Sequence, residues 1–177
     1  MDWETLANDA EAVVRGRAFF NKLLGKRAAP VVIVDIDGTL VHEPMRYDPA
    51  SGEASEVPRL GVVELVCYMA SRGAHVYILT ARPITEHRRT IELLAALGLG
   101  SVRYPIYGVT LADVDFGCSD DVRLWKAKAR AAIMRKYRRR FPDMAIGNNA
   151  YDVTSLPLDA KGPALVLAKH FMGIIVS

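Results

Sequence analysis

Asp35-Ile36-Asp37-Gly38-Thr39-Leu40 follows directly on four β-branched residues, Val31-Val32-Ile33-Val34. Such a run is the signature of a strand buried on both faces of a parallel sheet, so Asp35 falls at the strand's tip. A carboxylate there loses hydration, and a cation has to hold it. Magnesium is the hard, oxygen-seeking ion that two carboxylates and a phosphate share. With the metal masking phosphate charge, Asp35 can attack phosphorus and form an aspartyl-phosphate. Asp37, two residues on at a turn that Gly38 permits, can protonate the leaving oxygen and later deprotonate the hydrolytic water. Thr39 can help hold that turn through its hydroxyl.

Two more apolar runs end in polar groups. His75-Val76-Tyr77-Ile78-Leu79 leads into Thr80-Ala81-Arg82, and Met144-Ala145-Ile146 leads into Gly147-Asn148-Asn149-Ala150-Tyr151-Asp152. Ligands of open α/β sheets bind beyond the carboxyl ends of the strands, where all three clusters are expected. Thr80 offers a hydroxyl to phosphoryl oxygens, and Arg82 a charge-assisted contact. Asn148 and Asp152 supply one neutral and one anionic oxygen as metal ligands. A lysine is then wanted to neutralise the carboxylate–phosphate pair. Lys126 is preferred to Lys128, because counting from Lys126 places Ala129 and Ile133 on the buried face of one helix.

The elements that must position these groups alternate. Trp3, Leu6, Ala10, Val13, Phe20 and Leu24 recur at helical spacing over residues 3–24. Gly25 can stop that helix and Pro30 prevents its return. Residues 1–27 are therefore expected to form an amphipathic helix that packs on a domain spanning 28–177 or mediates homo-oligomerisation. His42 to Pro58 reads as a loop. Helices are expected over Arg59–Ser71, over Ile84–Leu97 with Pro83 opening it, and over Trp125–Phe141 with Ala129, Ile133 and Tyr137 inward. A third strand is expected within 102–109, weakened by Pro105, and last strands at Ala164–Ala168 and Gly173–Val176. Strand and helix in alternation predict a three-layer α/β/α sandwich around a mainly parallel, Rossmann-like sheet.

The bulk properties agree with one domain: 177 residues, of which 51% are hydrophobic. The longest apolar stretches are far too short for a transmembrane segment. Met1-Asp-Trp-Glu carries acids where a secretory signal would be basic, and Cys67 and Cys118 lack metal-ligand spacing, so two reduced thiols in a soluble cytoplasmic protein are expected. The net charge is +3, but Arg123 to Arg140 holds nine basic residues and no acid. That stretch reads either as a solvated helix face or as a surface for a polyanion, nucleic acid or acidic membrane.

The four clusters, in this order, resemble the motifs of the haloacid dehalogenase superfamily of phosphohydrolases. Asp35 to Leu40 matches the first motif in full, Ile78-Leu79-Thr80-Ala81-Arg82-Pro83 looks like the second, Lys126 like the third, and Gly147 to Asp152 like the fourth. The resemblance implies Asp35 as nucleophile, Asp37 as acid/base, and Thr80 and Lys126 as catalytic phosphate contacts. Thr39 and Arg82 join Lys126 against the substrate phosphate, and Asp35, Asp37, Asn148 and Asp152 form the magnesium site. The departure is Asn148, where most members have aspartate; this Gly-Asn-x-x-x-Asp form is similar to that of the lipin and phosphatidylinositol-transfer-protein branch. Members often carry a substrate-screening cap, yet the stretches Leu40–Pro58 and Gly100–Arg123 are too short for one. An open, capless site follows. The expected function is magnesium-dependent hydrolysis of a phosphomonoester, with a binding module that holds a phosphorylated lipid or nucleic acid without turnover as the competing reading.

Overall fold

The structure, a computed structural model, describes residues 3–42, 46–48, 53–100, 106–109, 119–148, 164–167 and 173–176, with side chains at 10, 13–42, 56–100 and 122–148. In chain order the elements are α1 (Trp3–Leu24), β1 (Val31–Val34), β2 (Arg46–Asp48), β3 (Glu53–Ser55), α2 (Leu60–Ser71), β4 (His75–Pro83), a short 3₁₀ turn (Ile84–Glu86), α3 (His87–Ala96), β5 (Ile106–Val109), α4 (Ser119–Lys136), β6 (Met144–Gly147), β7 (Ala164–Leu167) and β8 (Gly173–Val176).

All four residues of β1 are buried, because helices cover both sides of the sheet. The strand order is β5-β4-β1-β6-β7-β8. β1 pairs in parallel with β4 (Val31 opposite His75) and with β6 (Val32 opposite Met144), and only β8 runs antiparallel, against β7. Side chains alternate across a strand, so β1 feeds two cores. Val32, Val34 and Ile36 meet Phe20 of α1, Leu65, Val66 and Met69 of α2, and Leu94 of α3. Val31 and Ile33 meet Tyr77 and Leu79 of β4 with Ile133 and Met134 of α4. The result is the three-layer α/β/α arrangement with a mainly parallel sheet. Each fully buried side chain of this size stabilises the fold by roughly 1.5–3 kcal/mol before chain entropy is counted.

α1 lies against α2. Phe20 is fully buried, the Tyr68 hydroxyl donates to Asn21 Oδ1 at 2.8 Å, and Arg17 pairs with Glu64. A Cβ on Gly16 would come within 2.5 Å of Leu65 Cδ2, so the missing side chain is what lets the two helices approach this closely. Cys67 of α2 is a free thiol; Cys118 lies outside the described residues. Among the described residues no helix is long and apolar enough to cross a membrane.

The elements differ from the sequence expectation at three places. β4 continues through Thr80 to Pro83, since a residue before proline is held extended, and the helix expected from Ile84 begins at His87. α4 starts at Ser119 and ends at Lys136, where Arg138 at φ 52° turns the chain into the left-handed region. Within the stretch read as a loop, β2 and β3 pair as a small antiparallel ladder, Tyr47 opposite Ala54.

Candidate active site

The carboxyl edge of the sheet collects the polar clusters. Asp35 comes one residue after β1, and its N–H donates to the Ile146 carbonyl at 3.0 Å. That bond carries the β1–β6 ladder one step further and puts Asp35 level with Gly147, one residue short of Asn148. Asp35 and Asn148 are both buried, at 5% and 8% exposure. The Lys126 ammonium donates to Asp35 Oδ1 at 2.8 Å, from a lysine that is itself 2% exposed. Two charges taken out of water in this way have to answer one another, and this pair does. Lys128 faces solvent.

Asp37 is held from the other side. The Arg82 guanidinium donates through Nε to both Asp37 oxygens at 3.1 Å and through Nη2 to Oδ1 at 2.6 Å. The same Nη2 pairs with Glu56 Oε1 at 2.6 Å. Burial works against a charged guanidinium, but the hydrogen bonds and charges of Asp37 and Glu56 outweigh it and hold Arg82 cationic above its ordinary range. Thr80 Oγ1 stands 3.5 Å from Asp37 Oδ2 and accepts the Arg82 N–H at 3.1 Å. Thr80 thus locks the backbone from which Arg82 reaches across, and its longer contact with Asp37 is weak.

Just past Asp37 the chain folds back on itself. Gly38 takes φ 73°, a conformation glycine adopts without a Cβ penalty, and the N–H groups of Thr39, Leu40 and Val41 all converge on the Ile36 carbonyl. Arg59, buried just ahead of α2, donates to the Gly38 carbonyl, and its own N–H donates to Leu40 O at 2.9 Å. The Thr39 hydroxyl is fully buried and has no hydrogen-bond partner among the described residues. A buried hydroxyl costs stability unless something accepts from it or donates to it, which suits a place for an incoming oxygen ligand.

Of the residues singled out in the sequence, Asp35, Asp37, Thr80, Arg82, Lys126 and Asn148 gather at this edge, with Thr39 inside the turn. Asp152 lies outside the described residues. Arg82, expected against phosphate, spends Nε and Nη2 on Asp37 and Glu56. Glu56 and Arg59 were missed, although a cation placed just before an apolar helix, where the helix dipole disfavours it, was a readable sign of a partner elsewhere. Arg130, buried one turn after Lys126 on the same face of α4, was missed too.

For a metal, Asp35 and Asn148 offer hard oxygen donors from adjoining strand ends, and that donor chemistry fits a magnesium-class cation. Among the described residues no three His, Cys, Asp or Glu side chains cluster as a metal site.

Comparison of the sequence with protein-family models and with curated proteins finds no match. Comparison of the fold does. The class C acid phosphatase from Bacillus anthracis superposes with a TM-score of 0.60 at 16% identity, covering 87% of this chain and 66% of that one. With tungstate bound, the same enzyme gives 0.62 at 17% identity, covering 87% and 67%. A chain of the Pnkp1/Rnl/Hen1 RNA repair complex gives 0.56 at 16% identity, covering 79% and 43%. The chain spans about two thirds of the acid phosphatase and under half of the repair-complex chain. At these identities the likeness is one of fold: the sheet and its flanking helices follow the same path as in these structures.

Proposed function

We propose that this chain is a phosphomonoester hydrolase of the haloacid dehalogenase type, working through an aspartyl-phosphate on Asp35. The observation that carries the reading is the buried contact of Lys126 with Asp35, two residues 91 apart in sequence. A nucleophilic carboxylate must stay ionised in a dry site, and a lysine on one of its oxygens keeps it so. An Asp35 oxygen bonds to phosphorus as the ester P–O bond breaks, and Asp37 gives its proton to the departing oxygen. Water then attacks phosphorus as the bond from Asp35 to phosphorus breaks, Asp37 takes the water's proton, and inorganic phosphate leaves with the Asp35 carboxylate restored. Lys126, Thr80 and Thr39 meet the phosphoryl oxygens. Asp35, Asp37, Asn148 and Asp152 would hold magnesium, which supplies charge to the phosphoryl oxygens as negative charge builds on them. The acid phosphatase fold described above supports this assignment.

The test is phosphate release from an aryl phosphate with magnesium, by wild type and by Asp35→Asn. Wild-type release that Asp35→Asn abolishes, at unchanged melting temperature, is the expected result; turnover by that variant rejects the mechanism. A second reading, retention of a phosphorylated lipid or nucleic acid without turnover, draws on Asn148, which brings no charge to the metal. Protein that binds a phosphorylated ligand and releases no phosphate under any divalent ion supports that reading.

A further inference from the structure

The opposite edge of the sheet, where the strands begin, is built quite differently. Among the described residues, three basic stretches open onto it: 21–30 at the end of α1, 71–75 at the end of α2, and 135–143 at the end of α4. They are joined there, because His75 N–H donates to Pro30 O at 2.8 Å and Asp143 N–H donates to Val31 O at 2.9 Å. Together they hold nine cations, Lys22, Lys26, Arg27, Arg72, Arg135, Lys136, Arg138, Arg139 and Arg140, against a single acid, Asp143. The surplus of eight stands on a chain whose whole net charge is +3, so the remainder of the molecule is net negative.

Asp143 offsets only one of these charges. It is buried, and it accepts from Val31 N–H at 2.8 Å, from Arg27 Nε at 3.0 Å and from Arg139. Lys22, Arg135 and Lys136 stand in last helical turns, where cations stabilise the helix end. Arg72 is exposed at the C-cap of α2, and Lys26, Arg138 and Arg140 lie past the helix ends and are exposed. Helix stability does not explain those last three. Several are held in place by rings: Arg72 lies 5.4 Å over Tyr68, Lys136 5.9 Å over Tyr77, and Arg140 5.0 Å over Phe141. Lys126 and Lys136 are ten residues apart on α4, roughly 15 Å at the helical rise, so this edge is separate from the carboxylate site.

We propose that the amino edge of the sheet is a docking surface for the phosphodiester backbone of a nucleic acid, bound without regard to sequence. Six of the nine cations are arginines, whose planar fork matches phosphate oxygens. The rings behind them already face cations, so bases have no bare aromatic platform to stack on. Among the described residues, the exposed large hydrophobics, Val14, Leu60, Ile84, Ile91 and Leu124, all lie outside these stretches. A membrane contact would draw on apolar groups beside the charge; a polyanion needs the charge alone. This inference does not depend on the catalytic reading.

Anisotropy of a fluorescent duplex DNA, titrated with the full chain, tests it. The dissociation constant is expected at about 1–100 μM near physiological salt, weakening about 100-fold between 50 and 200 mM if some four phosphates are contacted. Lys26→Glu/Arg135→Glu/Arg140→Glu is expected to weaken binding by at least about 30-fold and flatten the salt slope. Arg88→Glu/Arg123→Glu/Lys128→Glu makes the same charge change away from this edge and is expected to shift binding less than about threefold. Equal weakening by both triple variants, or no binding at low salt, overturns the proposal. So does tighter binding to phosphatidylserine-rich vesicles than to DNA. Should the first triple variant fail to fold, Lys26→Gln and Arg140→Gln singly must each lower the salt slope by about one contacted phosphate.

Discussion

The two edges of the sheet treat charge in opposite ways. At the carboxyl edge, Lys126 meets Asp35 and Arg82 meets Asp37 and Glu56, mostly buried and drawn from segments far apart in sequence. At the amino edge the charges are cationic but for the buried Asp143, most of them exposed, and supplied by short stretches next to helix ends. A charge removed from water has to be matched by geometry, and only a fold can bring that match; a charge left in water asks for no partner and is free to attract a large one. The edge that forced the fold to pair its charges is the one to which we assign the proposed hydrolysis.

The largest break in this contrast comes from Lys126→Met. It removes the ammonium from the buried Asp35, and the loss is expected in both quantities: about 3–5 kcal/mol of stability by denaturant titration, and about a thousandfold in kcat. Adding Asp35→Asn should restore most of the stability and none of the activity. If stability stays low in the double variant, the lysine matters through its packing and not through its charge.

Asp143→Ala applies the same rule at the other edge. It strips the Val31 N–H, Arg27 and Arg139 of their shared acceptor, and about 3 kcal/mol of stability should go with it. Here kcat on a small aryl phosphate is expected to hold. A large fall in kcat at unchanged stability would mean that the two edges are coupled through β1.

Arg82→Lys sharpens the picture inside the site. The charge stays but the fork that grips Asp37 is lost, so kcat should fall about 10- to 100-fold with KM changed less than about threefold. Stability should move by no more than about 1 kcal/mol, because a lysine still offers Glu56 a cation. A rise in KM instead would show that the guanidinium serves the substrate more than it serves Asp37.

How much of this was legible follows the same division. Val31 to Val34 announced a strand covered on both sides, and the two cores fed by alternate residues of that run are what the β-branching implied. Lys126 was picked from two lysines by the phase of Ala129 and Ile133, which periodicity can see. The grip of Arg82 on Asp37, 45 residues away, leaves no local trace, since nothing in either neighbourhood names the other. β2 and β3 were missed because Arg46-Tyr47-Asp48 and Glu53-Ala54-Ser55 have no apolar alternation; backbone pairing defines them. Ser119-Asp120-Asp121 did carry a helix-opening composition that the apolar stripe, starting later, concealed.

The smallest expected effect lies where α4 gives way to the basic edge. Arg138 sits at φ 52°, where a side chain costs up to about 1 kcal/mol relative to glycine. Its neighbour Arg139 nonetheless closes the helix by donating its N–H to Met134 O at 3.1 Å, so the turn itself is well formed. A glycine would stop the helix as well and with less strain, which leaves the arginine unexplained by folding alone. Arg138→Gly should therefore raise the melting temperature slightly while weakening the duplex about two- to threefold, the share of one contacted phosphate. Were the variant less stable, or DNA binding untouched, the arginine would belong to the fold and not to the surface that attracts a polyanion.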